Sequence, residues 1–297
     1  MMNEFTHQNS IAGSKLRGAK GWLITDGKAG MVAQVQGVAE ALGLDYCFKT
    51  VNPTGLLKWM SPWGPVGRHV RFGEQGAEFG PPWPEIAIAT GRVSIPYVRA
   101  LKAQAGSSCF TVVLQDPKTG PSTADLIWVP EHDRRRGANV ITTLTAPHGF
   151  SSERLELRRQ VIPDAISKLP KPRVAVILGG KNSVYKFEEQ DDLNLQSALQ
   201  SIALQGVGFM VTTSRRTHKR LENAVRMAIE AAPHIFWSGT GDNPYVDFLA
   251  HADWLIVTAD SVNMTSEACA TGRPVYVFEP EGGSAKFTRF HEALRRY

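Results

Sequence analysis

The sequence predicts an α/β protein of two Rossmann-like domains whose parallel sheets face each other across a cleft. Three observations carry this. Short, nearly all-apolar runs alternate with segments whose apolar residues recur at helical spacing. Most of the apolar runs end in a glycine or a polar cluster. The alternation pauses at Pro170-Lys171-Pro172 and then starts again. Apolar strands alternating with amphipathic helices mean a parallel sheet covered on both faces. Such sheets bind ligands beyond the carboxyl ends of their strands, which is where the glycine-rich and polar loops fall.

Gly21–Thr25 reads as the first strand and runs into Asp26-Gly27-Lys28-Ala29-Gly30. Val32, Val35, Val38, Ala39 and Leu42 then mark a helix that Gly43 stops. Tyr46–Val51 is the second strand, and the Pro-, Gly- and Trp-rich stretch 53–84 reads as irregular cover. Glu85–Thr90, Phe110–Leu114 and Leu126–Val129 are strands, with a helix over Ile95–Ala105. Leu155, Arg158, Val161, Ile162, Ile166 and Leu169 suggest one amphipathic helix ended by Pro170. The second cycle has strands at Arg173–Leu178, Phe209–Thr213, Ile235–Ser238, Trp254–Thr258 and Val275–Phe278. Its helices are Asp191–Leu204, Arg220–Ala231, Tyr245–Ala252 and Met264–Thr271. The domain plan is therefore a disordered polar tail over 1–19, a first domain over 20–153, a linker helix over 154–172 and a second domain over 173–297.

A chain of 297 residues suits two domains. Hydrophobic residues make up 42% and charged residues 21%, an ordinary globular balance. Cys47, Cys109 and Cys269 lie far apart without metal or redox spacing, so they read as buried, inert thiols. The net charge of +5 is spread along the chain, without the stripe or motif that nucleic-acid binding needs. The basic clusters suit anionic small molecules equally well. No run of 18 apolar residues and no apolar leader is present, which predicts a cytoplasmic protein. A mildly basic chain can also dock at the inner, anionic face of a membrane.

Four loops could carry chemistry. Asp26 to Gly30 joins a strand to a helix N-terminus, where glycines admit a ligand and the helix end favours an anion. It also reads as a tight turn capped by Asp26. Gly179-Gly180-Lys181-Asn182-Ser183 offers amides, a hydroxyl and a cation to a phosphate, and otherwise is a glycine turn. In Thr213-Ser214-Arg215-Arg216-Thr217 either arginine could hold phosphate oxygens. Thr258 to Glu267 runs from a strand into a helix. Amides near Ser261 to Thr265 would face an anion, and Glu267 could accept from two ribose hydroxyls. The alternative is plain capping by Asp260 or Ser261. Asp116 and His132, at strand ends of the first domain, could act as a general base or simply close turns. Trp59, Trp63 and Trp83 read as loop-covering core. No nucleophile elbow, zinc helix motif or Asp-x-Asp triplet for a diphosphate-bound metal is present.

Several segments together resemble a known family. They are Gly21–Gly30, Val129–Asp133 with Asn139–Thr143, Leu178–Asn182, Thr213–Thr217, Trp237–Tyr245, and Thr258–Ala268 with Thr271–Val277. Over residues 20–297 the chain looks like the mitochondrial fission family named for elongated mitochondria, with a first loop and short N-terminus closer to bacterial members. Plant members recruit a dynamin-related protein to the outer mitochondrial membrane. That family is in turn similar to GT-B glycosyltransferases. The resemblance implies a phosphate-side loop at Gly179-Gly180, a diphosphate-binding helix start at Ser261 to Thr265, and a ribose contact at Glu267. It also implies a terminal return helix, which is short or missing in the stretch after Phe290-His291.

The expected function is transfer of a sugar from a nucleoside diphosphate donor to an acceptor glycan or envelope glycolipid, with no metal or other cofactor. Donor binding is assigned to Gly179, Gly180, Lys181, Asn182, Ser183, Ser214, Arg215, Asp242, Asn243, Asp260, Ser261, Asn263, Met264, Thr265 and Glu267. Acceptor binding is assigned to Gly27, Lys28 and Gly30, and the base to Asp26, Asp116 or His132. A non-catalytic adaptor binding a protein partner is the alternative, and a nucleotide-sugar epimerase a third.

Overall fold

The computed structural model describes residues 16–297. Of the tail expected over 1–19, residues 1–15 lie outside the described residues. The last part of that tail is ordered: the Gly18 amide donates to the Gly43 carbonyl at 2.8 Å, and Ala19 is buried.

The chain divides into two compact units. The first runs to Val129 and takes in Arg135–Thr142; the second comprises Pro130–Arg134 and Thr143–Tyr297. The first contains strands β1 (Lys20–Thr25), β2 (Asp45–Thr50), β3 (Ile86–Thr90), β4 (Phe110–Leu114), β5 (Leu126–Pro130) and β6 (Val140–Thr143). They form one sheet in the order β2-β1-β3-β4-β5-β6, and β1 pairs parallel with β2 and β3, as β4 does with β3 and β5. Helices α1 (Ala29–Leu42), α2 (Gly55–Met60) and α3 (Ile95–Ala105) connect them. Every residue of β3 is buried, as a central parallel strand requires. One apolar cluster joins Ile24, Ala89, Val98, Leu101 and Ile127; another, with Leu23, Val35, Ile88 and Leu114, includes α1. Gly43 ends α1 in the left-handed conformation, at φ 68°.

The second unit has strands β7 (Arg173–Leu178), β8 (Gly208–Thr213), β9 (His234–Trp237), β10 (Trp254–Thr258) and β11 (Val275–Phe278). Their order is β11-β10-β7-β8-β9, with all neighbours parallel. Its helices are α4 (Ser152–Arg159), α5 (Asp164–Ser167), α6 (Glu189–Ala203), α7 (Lys219–Ile229), α8 (Tyr245–His251), α9 (Val262–Cys269) and α10 (Ala285–Arg296).

Several expectations change. The stretch read as one linker helix is two, α4 and α5. Pro163 lacks an amide hydrogen and is the N-cap of the second. This stretch belongs to the second unit: Leu155 and Ile166 are buried, and Arg159 donates to the Ala250 and Thr271 carbonyls at 3.0 and 2.8 Å. The region 53–84 contains the short helix α2, and Val140–Thr143 forms an unexpected edge strand. Helix α10 spans 12 residues within the second unit. Cys47 is exposed, while Cys109 is buried. Trp59 and Trp63 are exposed, whereas Trp83 packs on the core as expected.

Candidate functional site

The polar loops of the second unit meet at the carboxyl ends of β7, β8 and β10. Asp260 is their hub. Its carboxylate accepts from the Gly180 amide at 3.2 Å and the Thr258 hydroxyl at 2.7 Å, and pairs with Arg216. The Thr258 hydroxyl accepts in turn from the Gly179 amide at 2.7 Å. A Cβ on Gly179 would stand 2.0 Å from Asp260 Oδ1, and one on Gly180 would stand 2.0 Å from the Arg216 carbonyl. The two glycines are thus required by this close packing. Asn182 binds the other side of the loop: Nδ2 donates to the Asp260 carbonyl at 3.0 Å, while Oδ1 accepts from the Val184 and Tyr185 amides. Asp260 and Asn182 are therefore committed to holding the loops.

Around this hub the β8 loop closes through Thr217. Its hydroxyl donates to the Gly179 carbonyl at 2.6 Å and accepts from the Ser214 amide at 2.9 Å. The Ser214 hydroxyl accepts from the Arg216 amide at 3.2 Å. Lys181, Ser183 and Arg215 are exposed at these loops.

Helix α9 starts at the end of β10. Ser261 is its N-cap and accepts from the Met264 amide at 3.3 Å. Its first turn carries Asn263 and Met264. Thr265 is buried and donates its hydroxyl back to the Ser261 carbonyl at 3.1 Å. Glu267 is only 8% exposed. Tyr245 donates to its Oε2 at 2.6 Å. Burial pushes the Glu267 carboxyl up to about 7, against the smaller lowering effect of the Tyr245 bond. Burial likewise drives the Tyr245 phenol well above its ordinary value, and the Glu267 charge adds to this. Asn243, just before the Pro244 N-cap of α8, accepts from the Tyr245 amide through its side-chain oxygen at 3.0 Å. Asp242 is exposed beside it.

In the first unit, Asp26 and Asp116 end β1 and β4. Lys28, the N-cap residue of α1, pairs with Asp26, and its amide donates to the same carboxylate at 3.2 Å. Gly27 takes φ 77°, and Gly30 lies in the first turn of α1. Burial alone would raise Asp116, but hydrogen bonds from the Lys118 side chain and amide and from Arg135 outweigh it, leaving about 2. A carboxylate so stabilised is a weak proton acceptor. His132 groups with the second unit: it is 5% exposed and edge-on to Phe290 at 5.2 Å. Burial, helped by the Lys286 charge, lowers it to about 4, so its imidazole is neutral near pH 7.

Sequence reasoning assigned Arg215 and left out Arg216, which is the arginine that pairs with Asp260, and it assigned no role to Tyr245, Thr258 and Thr217. Ser214 and Thr217, three apart after a strand, were a legible turn signal. Tyr245 had none beyond its proximity to Asn243. Between Gln34, Thr90 and Gln115 a further polar cluster forms at the ends of β3 and β4: the Gln34 side-chain oxygen accepts from Thr90 at 3.3 Å and Gln115 at 3.0 Å. Among the described residues no group of three or more His, Cys, Asp and Glu side chains converges in a metal-binding arrangement.

Two parallel sheets with these loops at their strand ends define an α/β protein of the GT-B class. The Mitochondrial fission ELM1 family model matches residues 29–297, and the chain belongs to that family. It is 27% identical to the mitochondrial fission protein ELM1 of Arabidopsis thaliana over 71% of this chain and 55% of the plant protein. The chain thus matches about half the length of that relative. It is also 26% identical to an uncharacterized protein of Rickettsia prowazekii, covering 92% of this chain and 87% of that one. Among solved structures, Staphylococcus aureus MnaA with UDP superposes with a TM-score of 0.57 at 9% identity, covering 87% of this chain and 78% of that chain. A UDP-glucosyltransferase from Polygonum tinctorium gives 0.52 at 10% identity, over 95% and 84%. At such identities these two establish the fold. No helix of the described residues is long and apolar enough to cross a membrane.

Proposed function

We propose that the second unit binds the nucleoside diphosphate of a nucleotide sugar, and that the protein transfers the sugar to an acceptor glycan or envelope glycolipid. The observation that carries this is Glu267, a buried carboxyl on α9 oriented by Tyr245 and two turns beyond the helix start at Ser261, which itself follows the Asp260 that holds the Gly179-Gly180 loop. A carboxylate can accept from both ribose hydroxyls, and the helix start suits the diphosphate. Lys181, Ser183 and Arg215, exposed at adjacent strand ends, supply charge and donors for the leaving diphosphate without a metal. Asp260 and Asn182 act by positioning these loops, and Asp242 stands free at the surface for the base or sugar. The fold shared with a UDP complex and a UDP-glucosyltransferase supports uridine as the base. The first unit would receive the acceptor near Gly27, Lys28 and Gly30. With Asp116 held at about 2, Asp26 and His132 are the better general bases.

A second reading, an adaptor that binds a protein partner and catalyses nothing, is favoured by the name of the plant relative. Thermal unfolding with a panel of nucleoside diphosphates and their sugars separates the two. A ligand at about a hundred times its dissociation constant stabilises by about 2.7 kcal/mol. We expect a shift with one base that Glu267→Ala abolishes and Glu267→Gln weakens. No shift with any nucleotide would leave the adaptor as the better account.

A further inference from the structure

In the first unit, α2 and the turn after it present an apolar surface held on a rigid support. Leu56, Trp59 and Trp63 are 68%, 76% and 65% exposed. Leu56 and Trp59 are one helical turn apart, and Trp63 lies in the following turn, where its amide donates to the Met60 carbonyl at 3.0 Å. Side chains that merely escape the core usually sit on loose chain, but this segment is pinned from beneath. Arg92 donates to the carbonyls of Ser61 and Lys58 at 2.9 and 3.0 Å, and Arg99 to that of Trp63 at 2.9 Å. The Ser61 hydroxyl donates to the Leu57 carbonyl, and Ser61 itself is buried.

The segment that carries this surface bears charge of one sign. Residues 51–73 contain Lys58, Arg68 and Arg71 and no acidic residue. All three cations are exposed, and of these Arg71 pairs with Glu74. Beside Trp63 lies a cavity of about 710 Å³ lined also by Arg99, Lys102 and Lys118, of which Lys102 pairs with Asp125, Lys118 pairs with Asp116 at 2.8 Å and Arg99 holds the Trp63 carbonyl. Large rings with adjacent cations are the composition that settles at a bilayer interface. Two tryptophans and a leucine offer on the order of 500 Å², short of the roughly 800 Å² per partner of a stable protein interface.

We propose that this surface docks the protein on an anionic phospholipid membrane. Leu56, Trp59 and Trp63 enter the interface, and Lys58 and Arg68 meet the lipid charge. The inference is independent of the donor site and of any catalysis.

The test is co-sedimentation of the full chain with phosphatidylcholine vesicles, with and without a third of phosphatidylglycerol, at low and high salt. Binding is expected with the anionic vesicles alone and should weaken with salt. Brominated acyl chains should quench tryptophan emission of the bound protein. Leu56→Ala/Trp59→Ala/Trp63→Ala should lose both binding and quenching while keeping the wild-type circular dichroism spectrum and melting temperature. Lys58→Glu/Arg68→Glu keeps the apolar residues and should bind at least fivefold more weakly for each charge removed. The proposal is overturned if the protein ignores anionic vesicles, or if the triple variant binds them as the wild type does. It is equally overturned if light scattering shows a dimer that the triple variant dissociates, because the surface then belongs to a second copy.

Discussion

The Tyr245 phenol donates to Glu267 Oε2 at 2.6 Å and so ties the start of α8 to the middle of α9. Burial holds the Glu267 carboxyl at about 7, above its ordinary 4.5, so the native state binds this proton more tightly than the unfolded chain does. The resulting stabilisation is complete below pH 4.5 and is lost as the pH rises through 7. Glu267→Gln keeps an oxygen for Tyr245 and carries no charge. The variant should be more stable than the wild type at pH 8.5, by on the order of 3 kcal/mol, and no different at pH 4.5. Urea unfolding at the two pH values measures this. Equal stability at both would mean that the carboxyl is not raised.

A second prediction concerns the hub. Asp260 has no exposed side-chain surface, and three donors depend on it: Arg216, the Gly180 amide and the Thr258 hydroxyl. Asp260→Ala strands the Gly180 amide and the Thr258 hydroxyl, while the half-exposed Arg216 turns to water, and should cost about 2–3 kcal/mol. Asp260→Asn, which keeps one acceptor oxygen, should cost less. Gly179→Ala should also destabilise, because its Cβ would fall 2.0 Å from Asp260 Oδ1. Removing the carboxylate removes that clash, so the double variant should be more stable than the two single losses added together. Additive losses would show that the glycine is needed for some other reason.

How much of this was legible in the sequence follows from which interactions are local. The strands of both sheets were readable because central parallel strands are buried on both faces and leave uninterrupted apolar runs, as in Ile86–Thr90 and Arg173–Leu178. The break at Pro163 was readable in principle, yet the spacing from Leu155 to Leu169 still fits one helix. The edge strand Val140–Thr143 has no buried residue and so no apolar signature. The loops were locatable, since parallel sheets place them at strand ends, but their internal bonds were not. Asp260 meets Gly180 across 80 residues and Arg216 across 44, and no local pattern records such a pairing. The same holds for Trp59 and Trp63. A tryptophan in a Pro- and Gly-rich stretch usually covers core, and only the surrounding packing shows that Trp83 does so while these two do not.

The third prediction separates the two groups whose proton affinity the fold changes in the same direction for opposite reasons. Asp116 is held at about 2 because Lys118 and Arg135 outweigh its burial, so it is a charged, poorly basic group in all ordinary conditions. His132 is lowered to about 4 chiefly because burial penalises its charged form, so near neutrality it is an uncharged imidazole. Its folded value lies below the ordinary 6.5, and the native state therefore loses stability as the pH falls from 6.5 through 4. His132→Leu removes that titration but keeps an apolar side chain against Phe290. At pH 7 the variant should lose about 1 kcal/mol or less through imperfect packing. At pH 4 the gap should close or reverse, since the wild type must then either protonate a buried ring or unfold. Asp116→Asn should behave otherwise: its loss is present at pH 7, unchanged at pH 5, and shrinks only as the pH falls from about 4 toward 2. If His132→Leu instead showed the same loss at pH 4 as at pH 7, the ring would not be held neutral by burial. It would then be no better placed than Asp116 to take a proton from an acceptor hydroxyl, leaving Asp26 as the remaining candidate.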